Sequence, residues 1–121
     1  METKNISIIC VTVLVIVFIF AWANRYEYRE ATDPIWIQSF DSEVLKIMRK
    51  KYKTKLRLTQ LIGENRWYIS DTDFNYLKTK DGLTEIAEYV DGIGPWINQI
   101  VIGKNILGDL KLTGILGIAH E

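Results

Sequence analysis

The sequence predicts an α/β fold of parallel strands behind an N-terminal apolar helix, and three observations predict it. An uncharged, apolar run opens the chain between Asn5 and Asn24. Beyond it, short apolar stretches alternate with helix-period stretches in the order strand, helix, strand, helix, strand, helix, which is the alternation of βαβ units with a parallel sheet. The first strand stretch, from Ile35, is apolar on both faces at its start, as parallel strands covered on both sides are. A chain of 121 residues sets one domain as the ceiling.

The opening run comes first in the chain. Ile8 to Phe20 is almost wholly aliphatic or aromatic. At about 1.5 Å per residue, some twenty residues span roughly 30 Å, the thickness of a bilayer core. The β-branched residues Val11, Val13, Val15, Ile16 and Val17 disfavour a helix in water, but lipid forces backbone hydrogen bonds to close within the segment. Trp22 stands at the far end, where an interfacial aromatic is expected. Residues 1–24 are therefore expected to be a single-pass membrane anchor. Ala21-Trp22-Ala23 also fits a signal-peptidase site behind the basic Lys4, so export after cleavage is the alternative. Asn5-Ile6-Ser7 matches a glycosylation acceptor but lies too close to the apolar run to be modified.

Residues 25–34 are polar and end in the breaker Asp33-Pro34, a short linker. The domain is expected over 35–121. Ile35 to Phe40 reads as the first strand. Asp41 or Ser42 caps the next helix, with Glu43 in its first turn and Val44, Leu45, Met48 and Tyr52 on one face. Lys46, Arg49, Lys50, Lys51 and Lys53 fall largely outside that face and read as a solvated surface with cations at the helix end, in preference to a phosphate or lipid patch. Leu56 to Ile62 is the second strand, closed by Gly63. Residues 63–80 lack periodicity and carry Trp67, Tyr68, Phe74 and Tyr76, the signature of a functional loop or an insertion. A helix over Gly82–Ala87, a third strand near Tyr89–Ile93 with a sharp exit forced by Gly92-Ile93-Gly94-Pro95, a helical turn over Asn98–Ile102 and a last helix capped by Thr113 complete the reading.

Composition excludes several chemistries. Fifteen cationic and fifteen acidic residues are interspersed, which gives no reason to expect nucleic acid. The single cysteine, Cys10, lies in the apolar run, so neither a disulfide framework nor a cysteine zinc site is expected. The single histidine is His120, which rules out a mechanism that needs two. Asp71-Thr72-Asp73 places two carboxylates in a loop, but a hard-cation site needs several converging oxygens, and a solvated acidic turn is the simpler account. Gly92-Ile93-Gly94 lacks the third glycine of a dinucleotide fingerprint.

Three stretches together carry a resemblance. Ile37-Gln38-Ser39-Phe40-Asp41 resembles the fourth-strand signature of the glycerophosphodiester phosphodiesterase family. Leu58-Thr59-Gln60-Leu61-Ile62 is similar to its fifth strand, and Ile86 to Pro95 to its sixth strand and following turn. Lys111-Leu112-Thr113-Gly114 and Ala119-His120 resemble the next helix. The resemblance covers about residues 35–121 and implies part of a (β/α)8 TIM barrel, with three parallel strands. A complete member hydrolyses glycerophosphodiesters to glycerol 3-phosphate and an alcohol with a divalent metal, calcium or magnesium.

The resemblance also implies what this chain lacks. The family's histidine-arginine-glycine motif, glutamate-x-aspartate metal pair, second catalytic histidine and further metal-binding glutamate all belong before the position of Ile35. Phosphodiester hydrolysis needs a cation to neutralise developing charge and a positioned acid and base, so no catalytic residue and no metal ligand is expected here. Gln38, Phe40, Gln60 and Asp91 are expected at or near the carboxyl ends of the strands, where a barrel builds its site, as remnants of the wall of the substrate pocket. Ordinary strand-end packing is the competing account of these four.

Two functions follow. One is a truncated form or fragment of a glycerophosphodiester phosphodiesterase, inactive alone. The other is a membrane-tethered interaction module that uses the barrel segment without its chemistry and pairs through exposed strand edges.

Overall fold

The computed structural model describes residues 2–25 and 27–121, and of residues 2–10 and 24 the backbone alone. Three parallel strands form the sheet: β1 (Trp36–Ser39), β2 (Arg57–Ile62) and β3 (Gly92–Pro95), in the order β1-β2-β3. Ile37 stands beside Leu58, and Gln60 has Ser39 on one side and Ile93 on the other. Sequential order with crossovers of one hand lays the connecting helices on one face, and burial along β2 reports this. Leu58, Gln60 and Ile62 are buried, whereas Arg57, Thr59 and Leu61 on the opposite face are only partly covered.

The covering layer is built by α2 (Ser42–Lys46), which continues through a π-helical turn to Lys51, by α3 (Phe74–Leu77) and by α4 (Lys80–Ala87). Each starts on a side-chain cap. Asp41 accepts from the Glu43 N–H at 2.9 Å, Asp73 from those of Asn75 and Tyr76 at 3.1 and 3.2 Å, and Thr79 Oγ1 from that of Gly82 at 3.1 Å. The Thr79 cap starts α4 two residues before the expected Gly82. Leu45, Met48, Phe74, Leu77, Leu83, Ile86 and Tyr89 then close over Leu58 and Ile62 to form the core.

The apolar opening run forms α1 (Glu2–Arg25). Among the described residues no helix is long and apolar enough to cross a membrane. One face of α1 packs against the covering layer. Ile16 has no accessible surface, Ala23 is buried, and the Phe20 ring lies 5.4 Å from that of Tyr52. The polar segment after α1 is an ordered turn, because Asp33 accepts from the N–H groups of Arg29 and Glu30 at 2.6 and 2.8 Å. Those two bonds, Glu30's the stronger, hold the Asp33 carboxyl below its ordinary range.

Three expectations are corrected in the second half. The third strand starts at Gly92 and not near Tyr89, because Tyr89 and Val90 donate their N–H groups to Ile86 O at 3.1 Å and finish the turn that closes α4. The expected helical turn over 98–102 is α5 (Ile97–Ile100), and from Val101 the chain becomes a hairpin of β4 (Val101–Lys104) and β5 (Leu110–Leu112). Asn105 Oδ1 makes the hairpin's turn by accepting from the N–H groups of Leu107 and Asp109, with Gly108 at φ +89°. Thr113 does not cap α6 (Ile115–Ala119); its hydroxyl donates to Gln99 O, and Gly114 takes the cap position.

Candidate functional site at the carboxyl ends of the strands

The carboxyl ends of β1, β2 and β3 meet an aromatic cluster. The Phe40 ring stands edge-on to Trp67 at 6.5 Å and to Phe74 at 6.2 Å, and Trp67 meets Trp96 at 5.4 Å. Gly63 makes this approach possible. A Cβ there would sit 3.2 Å from Trp67, Phe74 and Ile69, so a larger residue would need these side chains to give by a few tenths of an ångström. Asn65 fixes the loop beneath them, accepting from the Phe74 N–H at 2.8 Å and donating to Asp73 at 3.0 Å. Ser42 and Thr72 tie the same loop to the start of α2 at 3.1 Å.

A polar group borders the aromatics. The buried Gln99 amide donates to Glu64 and to Gly63 O, each at 2.8 Å, and its oxygen accepts from the Trp96 N–H at 2.9 Å. Lys78 reaches Glu64 at 3.4 Å. The Gln99 bond first, then the Lys78 charge, hold the Glu64 carboxyl below its ordinary range. This Gln99–Glu64–Lys78 group was not legible in the sequence, because the three residues come from separate elements with no shared motif.

The four expected site residues are distributed over three places. Gln60 and Phe40 come together: the Gln60 Nε2 donates to Phe40 O and Leu61 O, each at 3.0 Å. Gln60 has no accessible surface and lies on the helix-covered face, so it fastens the end of β1 to β2. Gln38 lies on the opposite face beside Thr59 and is exposed. That face also carries Trp36, with the Arg57 guanidinium 4.5 Å from its ring centre, and Gly94 beside Leu61. Asp91 is at the amino end of β3, not the carboxyl end. It accepts from the Leu58 N–H at 2.8 Å and from Arg49 at 2.7 Å, a tie between strand starts.

The remaining candidates also have structural positions. Asp73 is engaged as the α3 cap and by Asn65, while Asp71 is exposed. Among the described residues no three histidine, cysteine, aspartate or glutamate side chains converge as metal ligands. His120, at the end of α6, is exposed.

These features define a class: a sequentially ordered parallel β/α sheet, helices on one face, and an aromatic-lined end at the strand carboxyl termini. No family model matches the chain. It is weakly similar to the glycerophosphodiester phosphodiesterase of Treponema pallidum (strain Nichols), 23% identical over 116 residues that cover 84% of this chain and 33% of that protein. The glycerophosphodiester phosphodiesterase of Haemophilus influenzae (strain ATCC 51907 / DSM 11121 / KW20 / Rd) is 26% identical over 86 residues, 60% of this chain and 24% of that protein. The chain therefore spans a third or less of the length of these curated relatives.

Proposed function

We propose that this chain is a sector of a glycerophosphodiester phosphodiesterase barrel, corresponding to its fourth to sixth strands, and that it does not hydrolyse the diester by itself. The observation that carries this is the β1-β2-β3 parallel order with both crossovers on one face, in a chain similar to two such enzymes. A sector of this kind contributes a wall and not a reaction centre. Phe40, with Trp67 and Trp96 behind it, supplies apolar surface at the end where a barrel binds substrate. Gln38 supplies an amide on the open face. Gln60 positions the end of β1, and Asp91 acts at a distance by setting the strand starts. A divalent cation, the acid and the base would come from outside this sector. Membrane targeting through residues 1–24, as an anchor or as an export signal, belongs to the same reading.

The purified chain is expected to release no glycerol 3-phosphate above blank from glycerophosphocholine, with calcium or with magnesium. Metal-dependent turnover that co-purifies with the chain would overturn the reading. The alternative, a membrane-tethered interaction module, is favoured by one observation: β1 and β3 each have an unpaired edge among the described residues, the geometry that accepts a partner strand.

A further inference from the structure

We infer that the outer face of α1, together with the cations around its carboxyl end, docks on the surface of an anionic lipid leaflet. The inference rests on the anchor reading of residues 1–24 in the proposed function, with the segment retained, and not on its enzymatic part.

Helical spacing separates two apolar faces on α1. Ile16 and Ala23 point into the core, with Ile19 and Phe20 packed beside them. Val11, Leu14, Val15, Phe18 and Trp22 recur at intervals of three and four on the other side. They are open to solvent, Leu14 at 67% and Phe18 at 73%. Water is a poor partner for such a stripe, and contiguous exposed apolar surface marks an interaction site.

The order of side chains along the stripe identifies the occupant. Beyond the aliphatic part come Trp22 and Tyr28, their rings 6.2 Å apart, and then cations. Arg25 continues the stripe three residues after Trp22 and is exposed. A cleft of about 680 Å³ opens alongside, lined by apolar Val17, Phe20 and Leu56 and by cationic Arg29, Lys53 and Lys55. An apolar and aromatic face flanked by cations is what a helix lying along an anionic leaflet presents to it, the apolar side chains to the acyl boundary and the cations to the phosphate headgroups. The salt bridge of Lys55 to Glu30, 3.1 Å with both groups exposed, is weak enough for a lipid phosphate to compete with it.

The packing also sets the mode of attachment. Because the protein core holds Ile16 and Ala23, the part of α1 left before Ile16 rises only about 21 Å, short of the roughly 30 Å of a bilayer core. The helix thus enters one leaflet by its outer face.

Flotation of the full chain with vesicles tests this. It is expected to float with phosphatidylcholine vesicles that contain phosphatidylglycerol, to float poorly with phosphatidylcholine alone, and to be released by high salt. Lys53→Gln and Lys55→Gln should each weaken binding to the anionic vesicles about fivefold. Phe18→Asp should abolish it while circular dichroism stays unchanged, since that side chain is largely exposed and lies outside the core cluster. Binding that is indifferent to lipid charge and resists alkaline carbonate would overturn surface docking in favour of a crossing helix. No vesicle binding, with self-association removed by Phe18→Asp, would assign the stripe to a second copy. Neither result bears on glycerophosphodiester turnover.

Discussion

Arg49 shows how much of this fold depends on single polar side chains. Its guanidinium donates to Tyr89 O at 3.1 Å, to Leu56 O at 3.3 Å and to Thr54 O, and it pairs with Asp91 at 2.7 Å. One side chain therefore satisfies the carbonyls of two connections and the carboxylate that accepts from β2. Removing it strands those acceptors, and hydrogen bonds to a charged group are worth about 1.5–3 kcal/mol. Arg49→Ala is expected to lower unfolding free energy by about 2–3 kcal/mol in urea titrations, and a change under about 0.5 kcal/mol, the scale of ordinary surface substitutions, would refute the role. Glu64 makes a pH-dependent contribution. Its folded pKa is held below the unfolded value, chiefly by Gln99. That stability is present above the unfolded pKa and is lost as pH falls through the folded one. Gln99→Leu should therefore raise the Glu64 pKa toward the ordinary glutamate range in an NMR titration and flatten the acid limb of the stability curve.

At the scale of elements, Gly82 lets α4 pack directly on the backbone at the end of α3. A Cβ on Gly82 would lie 2.1 Å from Tyr76 O and 2.7 Å from Leu77 Cα, and backbone atoms cannot rotate away. Gly82→Ala should cost about 1–3 kcal/mol despite its higher helix propensity, and a melting temperature equal to the parent's would contradict that packing. The same elements show where the sequence was readable. The helix α2 was legible, since Asp41 ahead of Glu43 states its start in local chemistry, whereas α3, capped by Asp73, lay in the stretch read as a loop and the Thr79 cap of α4 went unread. The β4–β5 hairpin was not legible either. Its strands are almost wholly exposed, so no buried-exposed alternation marks them. The third strand was displaced because Gly92-Ile93-Gly94-Pro95 has little strand propensity, while apolar Tyr89 and Val90 look like a strand but serve the end of α4. In the candidate site, Phe40 was legible from its place at a strand end. The Trp67–Trp96 contact and the Gln99–Glu64 bond join distant segments, and nothing local announces them. Asp91 was misplaced with the strand that it precedes.

The whole molecule is a covered sheet with one open side. Helices bury Leu58, Gln60 and Ile62, while Trp36 and Gln38 stay exposed on the other face. In a barrel that second face is the interior and is filled by layers of side chains from alternate strands; here the Leu61 side chain lies over Gly94 and the Trp36 ring against Gly92. The central claim is that this chain is one sector of a larger phosphodiesterase barrel whose reaction centre is encoded elsewhere. The most direct test is to determine the nucleotide sequence on both sides of the region encoding residues 1–121. The account predicts coding potential upstream, in this or another frame or exon, for a histidine-arginine-glycine motif and a glutamate-x-aspartate pair. Downstream it predicts a further apolar strand of the barrel. Intergenic sequence on both sides, with a conventional stop directly after the codon for Glu121, would contradict the sector and favour a self-contained tethered interaction module.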